Sequence, residues 1–171
     1  MSGMGKTKQI ALCGILTAMA LALSYAERFL PLQLLIPLPG VKLGLANIVT
    51  LLALNLFTTR HAGGVLLCRC VLGAVFGGGI TGLAFSLCGG ALALGIMAGV
   101  QRGKLFSLYG VSVLGAAGHS MGQILAAMVL MRSVYVAAYL PWLLMASIVT
   151  GLLTAMLCAS VLRLLPKEGR S

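Results

Sequence analysis

The sequence is poor in acidic residues, with only Glu27 and Glu168 in a chain of 171 residues. Charged residues of both signs make up 8% of the chain, whereas an ordinary soluble domain carries about 25%. Aromatic residues are also scarce, at 6%, while hydrophobic residues reach 60% and the mean hydropathy is +1.10. These shortages exclude a soluble globular domain and predict a protein that is embedded in a membrane.

Six apolar runs divide the chain, and each is about 17–25 residues long. At a rise of about 1.5 Å per residue, a helix of this length crosses roughly 30 Å of hydrocarbon. We therefore predict an all-α membrane protein with six transmembrane helices in one domain, residues 1–171. The predicted spans are Lys8–Tyr25, Val41–Phe57, Gly63–Gly79, Thr81–Val100, Leu108–Met131 and Pro141–Leu165. A cleaved signal peptide is the alternative interpretation of the first run, because basic residues precede it.

The basic residues separate the runs and do not form the surface patch that nucleic-acid binding requires. With the N-terminus placed in the cytoplasm, the cytoplasmic side carries Lys6, Lys8, Arg60, Arg102, Lys104, Arg163, Lys167 and Arg170. The outer loops then carry only Arg28 and Arg132. The positive-inside rule therefore predicts a multi-pass protein of the inner (plasma) membrane, with both termini cytoplasmic, the lipid bilayer around it and no nucleic-acid partner.

Motifs for metals and nucleotides are weak in this sequence. The five cysteines all lie in apolar runs, and an odd number does not describe a disulfide framework. Cys68 and Cys70 have His61 nearby, but residues two apart on a helix point away from each other. The stretch GMGKT at Gly3–Thr7 lacks the strand and the first glycine of a phosphate-binding loop. We predict no metal site and no cofactor.

The connections between spans are short, with one exception. Residues Glu27–Gly40 contain three prolines, which predicts an irregular outer loop between the first two spans. Irregular backbone cannot face lipid, so this loop either covers a binding site as a lid or simply joins two helices at the surface. The run Gly77–Gly79 predicts the turn between the third and fourth spans.

Polar side chains inside the apolar spans indicate functional positions, because a Lys or Arg at membrane depth costs about 2.5–3.5 kcal/mol. Lys42 either contacts a ligand or reaches the outer interface with its ammonium group. Asn47 and Asn55 share a broad face of the second span, and bonding between helices is the alternative for both. Arg69 requires a counter-charge, for which Glu27 is the nearby acid; otherwise carbonyl oxygens or an anionic ligand must serve.

The fifth span carries a stripe of small and polar residues on one helical face, and it consists of Ser112, Gly115, His119, Gly122 and Gln123. His119 and Gln123 lie one turn apart, and both offer hydrogen-bond donors and acceptors. The glycines leave room for a molecule to approach. This face therefore lines either a cavity or a contact between helices.

Three stretches, SYAERFLP, PGVKLGLANIVTL and GVSVLGAAGHSMGQ, resemble the bacterial family called heptaprenyl diphosphate synthase component I, or Gx transporter family. That family is similar in fold to the substrate-binding S components of energy-coupling factor (ECF) transporters. Ser120 stands where the family pattern has Asn after His119, so an amide role is not carried over to that position. The resemblance implies that a membrane partner subunit, linked to a separate ATPase, contacts the first span at Gly14, Ala18 and Ala22. Packing within the chain is the alternative for that stripe.

The family name implies prenyl-chain synthesis, but that chemistry needs clustered carboxylates to hold Mg²⁺, and this chain has two acids. We therefore interpret the chain as a non-enzymatic, S-component-like protein that binds a small anionic or polar molecule for uptake, with no catalytic residues. Its predicted ligand-binding residues are Glu27, Lys42, Asn47, Arg69, Ser112, His119 and Gln123. The alternatives are a non-catalytic membrane subunit in heptaprenyl diphosphate or isoprenoid quinone synthesis, and an assembly partner of a membrane complex.

Overall fold

The computed structural model of the protein describes residues 5–29 and 42–164, apart from the side chain of Arg28. Within these ranges it contains six α-helices and no strand, which confirms the all-α prediction. The helices are α1 Lys6–Ala26, α2 Asn47–Leu56, α3 Thr59–Gly73, α4 Gly79–Arg102, α5 Leu108–Met131 and α6 Leu140–Leu164. Short 3₁₀ segments follow α1 at Glu27–Phe29 and precede α6 at Val134–Tyr139.

Within residues 5–29 and 42–164, four helical stretches are long and apolar enough to cross a membrane, namely Lys6–Ala26, Thr59–Arg102, Leu108–Met131 and Val134–Leu164. Their outward faces carry large apolar side chains, among them Ile10, Ile80, Val129 and Ile148. A soluble monomer rarely exposes apolar patches of such extent, whereas contact with lipid requires them. The structure is therefore that of a membrane-embedded helical protein.

The turn predicted at Gly77–Gly79 is observed. The backbone leaves the helical conformation at Phe76 and Gly77, within the segment Ala74–Gly78 that joins α3 to α4. Gly77 and Gly79 have positive φ values of 101° and 60°, which glycine adopts without a steric penalty. The chain thus reverses direction within the 44-residue helical stretch Thr59–Arg102.

Helices α3 and α4 pack side by side and run antiparallel. Gly90 lies against the Leu66 side chain, and Gly63 lies near Leu94. In each pair, the two residues lie at nearly the same number of positions before and after the glycine turn, as the two arms of a hairpin require. The small residues let the two backbones approach closely.

Helix α2 differs most from its predicted span, Val41–Phe57. It begins at Asn47 and ends at Leu56, while Val41 lies outside the described residues. Ten residues of helix are about 15 Å long, half of the roughly 30 Å hydrocarbon layer. Every residue from Asn47 to Leu54 is buried, so α2 is a central half-helix surrounded by the others.

Residues 42–46 precede α2 and are not helical, because their backbone groups bond to side chains from elsewhere. Gln123 binds both backbone groups of Lys42, and the Glu27 carboxylate accepts from the Leu45 N–H. Gly44 has a φ of 83°, outside the helical range. We refer to residues 42–46 as the pre-α2 segment.

Helices α4, α5 and α6 pack in succession through glycines. A Cβ at Gly122 would clash with the backbone of Cys88, and one at Gly151 would clash with the backbone of Val113. Such close approach is what small residues provide in membrane helix packing. By contrast α1 is largely exposed, with Leu16, Thr17 and Ala20 as its buried residues. The predicted loop Glu27–Gly40 lies mostly outside the described residues, because these stop at residue 29 and resume at residue 42.

Candidate functional site

The structure brings six of the seven predicted ligand-binding residues into one polar cluster. The cluster joins the end of α1, the pre-α2 segment and helices α2 to α5. It also includes a serine of α4 that the sequence did not single out. We define the polar cluster as Glu27, Lys42, Asn47, Arg69, Ser86, His119 and Gln123.

Gln123 on α5 is completely buried and uses its whole amide inside the cluster. Its Oε1 accepts from the Lys42 backbone N–H at 3.1 Å, and its Nε2 donates to the Lys42 carbonyl at 3.0 Å. These two bonds fix the orientation of the amide, because a backbone N–H can only donate and a carbonyl can only accept. Gln123 therefore positions Lys42.

The fixed amide of Gln123 also determines the state of His119. Gln123 Nε2 lies 2.6 Å from His119 Nε2, and since the amide nitrogen can only donate, the imidazole nitrogen must accept. His119 is thus neutral, with its proton on Nδ1, which lies against Gly89 on α4. The buried imidazole serves as a fixed acceptor and packing element at the α4–α5 contact.

Lys42 directs its side chain into the same region that its backbone anchors. Its Nζ donates to Ser86 Oγ on α4 at 3.0 Å. Lys42 is therefore held at two points, at its backbone by Gln123 and at its ammonium group by Ser86. The sequence left two interpretations of Lys42, contact with a ligand or reach to the outer interface. The contact with Ser86 places its ammonium inside the helix bundle.

Arg69 on α3 is buried, with 5% of its surface exposed. Its Nη2 donates to Asn47 Oδ1 at a long 3.4 Å, so an amide oxygen of α2 is its nearest recorded acceptor. Neither Arg69 Nε nor Asn47 Nδ2 has an acceptor among the residues that the structure describes. A buried donor left without an acceptor costs about 1–3 kcal/mol, so both groups favour an added acceptor, such as an anion.

Glu27 lies just beyond α1, in the field of both cations. One of its oxygens accepts from the Leu45 backbone N–H, which ties the pre-α2 segment to α1. Burial raises the pKa of the Glu27 carboxyl above its ordinary value, while the Leu45 N–H and the charges of Lys42 and Arg69 oppose that rise. Glu27 thus partly balances Lys42 and Arg69.

A cavity of about 450 Å³ adjoins the cluster, between α1, the pre-α2 segment, α3 and α4. This volume lies in the range of about 300–1,000 Å³ that small-molecule sites occupy. Two cluster cations and the cluster serine are among its lining residues, and most of the other lining side chains are apolar. The lining consists of Ala18, Leu21, Ala22, Ser24, Tyr25, Lys42, Arg69, Cys70, Gly73, Phe76 and Ser86.

Two other polar residues singled out in the sequence lie in contacts between helices. Ser112 donates to the Gly151 carbonyl on α6 at 2.7 Å. Asn55 accepts from Gln101 on α4 at 3.1 Å, which agrees with the helix-bonding alternative. Ser112 is thus the one predicted ligand-binding residue that the structure does not bring to the polar cluster.

Ser86 and Cys70 border the cavity, and sequence reasoning missed both. A serine or cysteine in an apolar helix is ordinary, so neither residue type carried a signal. Ser86 lies four residues before Gly90, which packs against Arg69 and Leu66. Its proximity to Lys42 depends on the α3–α4 hairpin and on the pre-α2 segment, which only the fold supplies.

The small-residue stripe of α1, Gly14, Ala18 and Ala22, is exposed. Gly14 has open space where a side chain would extend. Gly14 and Ala18 also border a groove of about 960 Å³ between α1 and α3, while Ala18 and Ala22 border the 450 Å³ cavity. Ala18 and Ala22 therefore belong both to the stripe and to the cavity wall.

Comparison with known proteins gives one match. A family model described as heptaprenyl diphosphate synthase component I matches residues 16–161. The matched range contains the whole polar cluster and the whole cavity lining. No curated protein and no solved structure matches the chain.

Proposed function

The chain belongs to the heptaprenyl diphosphate synthase component I family, and from this premise we propose that it is a membrane-embedded protein that binds a small anionic molecule for uptake. In this proposal the six α-helices form an S-component-like bundle, and α2 with the pre-α2 segment makes one crossing. The protein lies in the plasma membrane, and both of its termini lie in the cytoplasm. A separate membrane subunit with its own ATPase supplies the energy.

The observation that carries the proposal is the cavity bordered by Lys42 and Arg69 from two different elements. Burying a cation is costly unless it is paired and hydrogen-bonded, and intramembrane Lys and Arg residues commonly mark substrate pathways. Arg69 makes one long bond to Asn47, which leaves most of its donor capacity for another acceptor. A bound anion would offset the cost of holding both cations at this depth.

The partner subunit is proposed to dock on the exposed stripe Gly14, Ala18 and Ala22. A face of small residues lets the backbones of two helices approach closely, as tight membrane packing requires. Ala18 and Ala22 also border the cavity, so a docked partner would touch the wall of the binding site. Partner binding and ligand release would then be coupled through α1.

A second candidate function follows from the family description, which names a component of a synthase. In that function the chain is a non-catalytic membrane subunit in isoprenoid synthesis, and the cavity holds a prenyl diphosphate. Catalysis by this chain alone is not proposed, because prenyl transfer needs clustered carboxylates for Mg²⁺ and the sequence has only Glu27 and Glu168.

Native mass spectrometry of the protein in lipid nanodiscs tests the proposal. We expect a small molecule to co-purify with the wild type, to be lost from Lys42→Met, and to be retained by Arg132→Gln, which removes a cation that does not line the cavity. A bound prenyl diphosphate would favour the second candidate. A molecule retained equally by all three proteins would place its site elsewhere and contradict the proposal.

A further inference from the structure

We propose that the 450 Å³ cavity selects a singly charged anion with an apolar body, an inference that rests on the proposed function and names its ligand class. The charges at the cavity and the composition of its wall both favour a monocarboxylate-like ligand over a diphosphate.

Among the side chains that the structure describes at the cavity, positive charges exceed negative charges by one. Lys42 and Arg69 border the cavity, and Glu27 lies in the electrostatic field of both. His119 is neutral because its Nε2 accepts from Gln123. The stretch from residue 30 to residue 41 contains no charged residue, so it cannot change the count. One negative charge on the ligand therefore balances the site.

A doubly or triply charged group would leave excess negative charge buried in the bundle. Uncompensated buried charge is strongly unfavourable, because its lost hydration is not replaced. A diphosphate in this cavity would need a further cation that the described lining does not provide. The charge balance thus favours a carboxylate-like head group over the head group that the family description suggests.

The rest of the cavity calls for an apolar body. Leu21 and Phe76 also line the cavity, together with the small residues Ala18 and Ala22. The arrangement resembles the usual small-molecule site, in which apolar walls surround a few polar groups that fix orientation. The ligand head would lie between Lys42 and Arg69, and its body would extend toward α1.

A matched series of probes tests the inference. 3-Phenylpropanol, 3-phenylpropionate and 3-phenylpropyl phosphate share one apolar body and are neutral, singly charged and doubly charged at about pH 8. Their dissociation constants are measured on the protein in nanodiscs of zwitterionic lipid, with empty nanodiscs subtracted. For the wild type we expect the singly charged probe to bind about tenfold or more tightly than either of the others.

Glu27→Gln provides the charge-swap variant. It removes the negative charge but keeps a side-chain oxygen that can accept from the Leu45 N–H. The order of affinity should then change so that the doubly charged probe binds best. Arg163→Gln removes an exposed charge of α6 that does not line the cavity, and it should keep the wild-type order.

The outcomes separate the two levels of the proposal. The charge inference is overturned, without the need for any variant, if the wild type binds the doubly charged or the neutral probe most tightly, or binds all three probes equally. An unchanged order in folded Glu27→Gln does the same. Ala22→Phe places an aromatic ring at the cavity wall and should weaken binding of all three probes at least about tenfold; if all three bind as they do to the wild type, the cavity is not the binding site and the proposed function fails too.

Discussion

The side chain of Gln123 pairs with the backbone of Lys42 across 81 positions of sequence. Its amide offers the same donor and acceptor that a neighbouring β-strand would offer, and it replaces the helical bonds that Lys42 lacks. The pair fixes where α2 can begin and where the Lys42 ammonium lies. Gln123 thus acts on any ligand through Lys42, and its own donors and acceptors are already engaged.

Replacing Gln123 with Leu should therefore affect both stability and binding. The change removes the bonds of Gln123 to both backbone groups of Lys42 and to the Nε2 of His119, and we expect a loss of about 1–3 kcal/mol in unfolding free energy. Ligand affinity should fall at least about tenfold as Lys42 shifts. Thermal unfolding and binding are measured on the same samples.

Gln101→Leu is the matched control, because Gln101 makes one bond to Asn55 between α4 and α2, away from the cavity. Bonds of this kind average about 0.6 kcal/mol in membrane bundles, so its stability should change little and its affinity should not change. Equal effects from both substitutions would contradict the positioning role of Gln123.

Gly89→Ala should be destabilising by about 1–3 kcal/mol, because overpacking a tight contact forces backbone shifts. The added Cβ would lie 2.8 Å from two ring atoms of His119 and 3.0 Å from its carbonyl oxygen. Gly95→Ala on the same helix meets open space and should be neutral or up to about 1 kcal/mol stabilising. Thermal unfolding in one detergent compares them, and a tolerated Gly89→Ala would show that α4 and α5 are less tightly packed.

Membrane orientation can be tested at two exposed positions in a cysteine-free background. Tyr135 precedes α6 and Leu105 precedes α5, and both are more than four-fifths exposed, at 86% and 85%. With cytoplasmic termini, Tyr135→Cys should react with a membrane-impermeant maleimide on intact cells, and Leu105→Cys only after permeabilisation. The opposite labelling pattern would show that the topology is inverted and that the cavity lies toward the cytoplasmic side.

Gly14→Leu and Ala18→Leu should weaken assembly with an ECF-type membrane subunit at least about tenfold while the isolated protein stays folded. Both positions are exposed, so the added side chains meet no neighbour within the chain at Gly14 and little at Ala18. Ala91→Leu adds the same bulk to an exposed alanine of α4 and serves as the control in co-purification. If all three variants co-purify like the wild type, the stripe faces lipid only.

Much of the fold could be predicted because membrane helices are long and apolar. The bounds of α5, Leu108–Met131, match the predicted span, and the turn at Gly77–Gly79 lies where three consecutive glycines suggested it. The start of α2 could not be predicted. It depends on Glu27 and on Gln123, which bond to the pre-α2 segment from distant parts of the sequence.

The candidate site was predictable by residue type but only partly by arrangement. Ser112 and His119 lie on one face of α5, as their spacing indicated. Spacing does not reveal which helix lies beside each level of that face. At Ser112 the neighbour is Gly151 of α6, whereas at His119 it is Gly89 of α4. The sequence also did not determine the hydrogen-bond partner of Arg69, which in the structure is Asn47.

The late position of Gln123 in the chain has a consequence for biosynthesis. While the ribosome is still making α3 and α4, the N–H and C=O of Lys42 have no amide to bond, because their partner lies 81 residues further on. The contact between Glu27 and Leu45 spans 18 residues and can form first. Contacts between distant residues form late, since the intervening chain must be made and closed. The full set of bonds that holds the start of α2 can therefore form only after α5 has been synthesised, although α2 is the second helix in the chain.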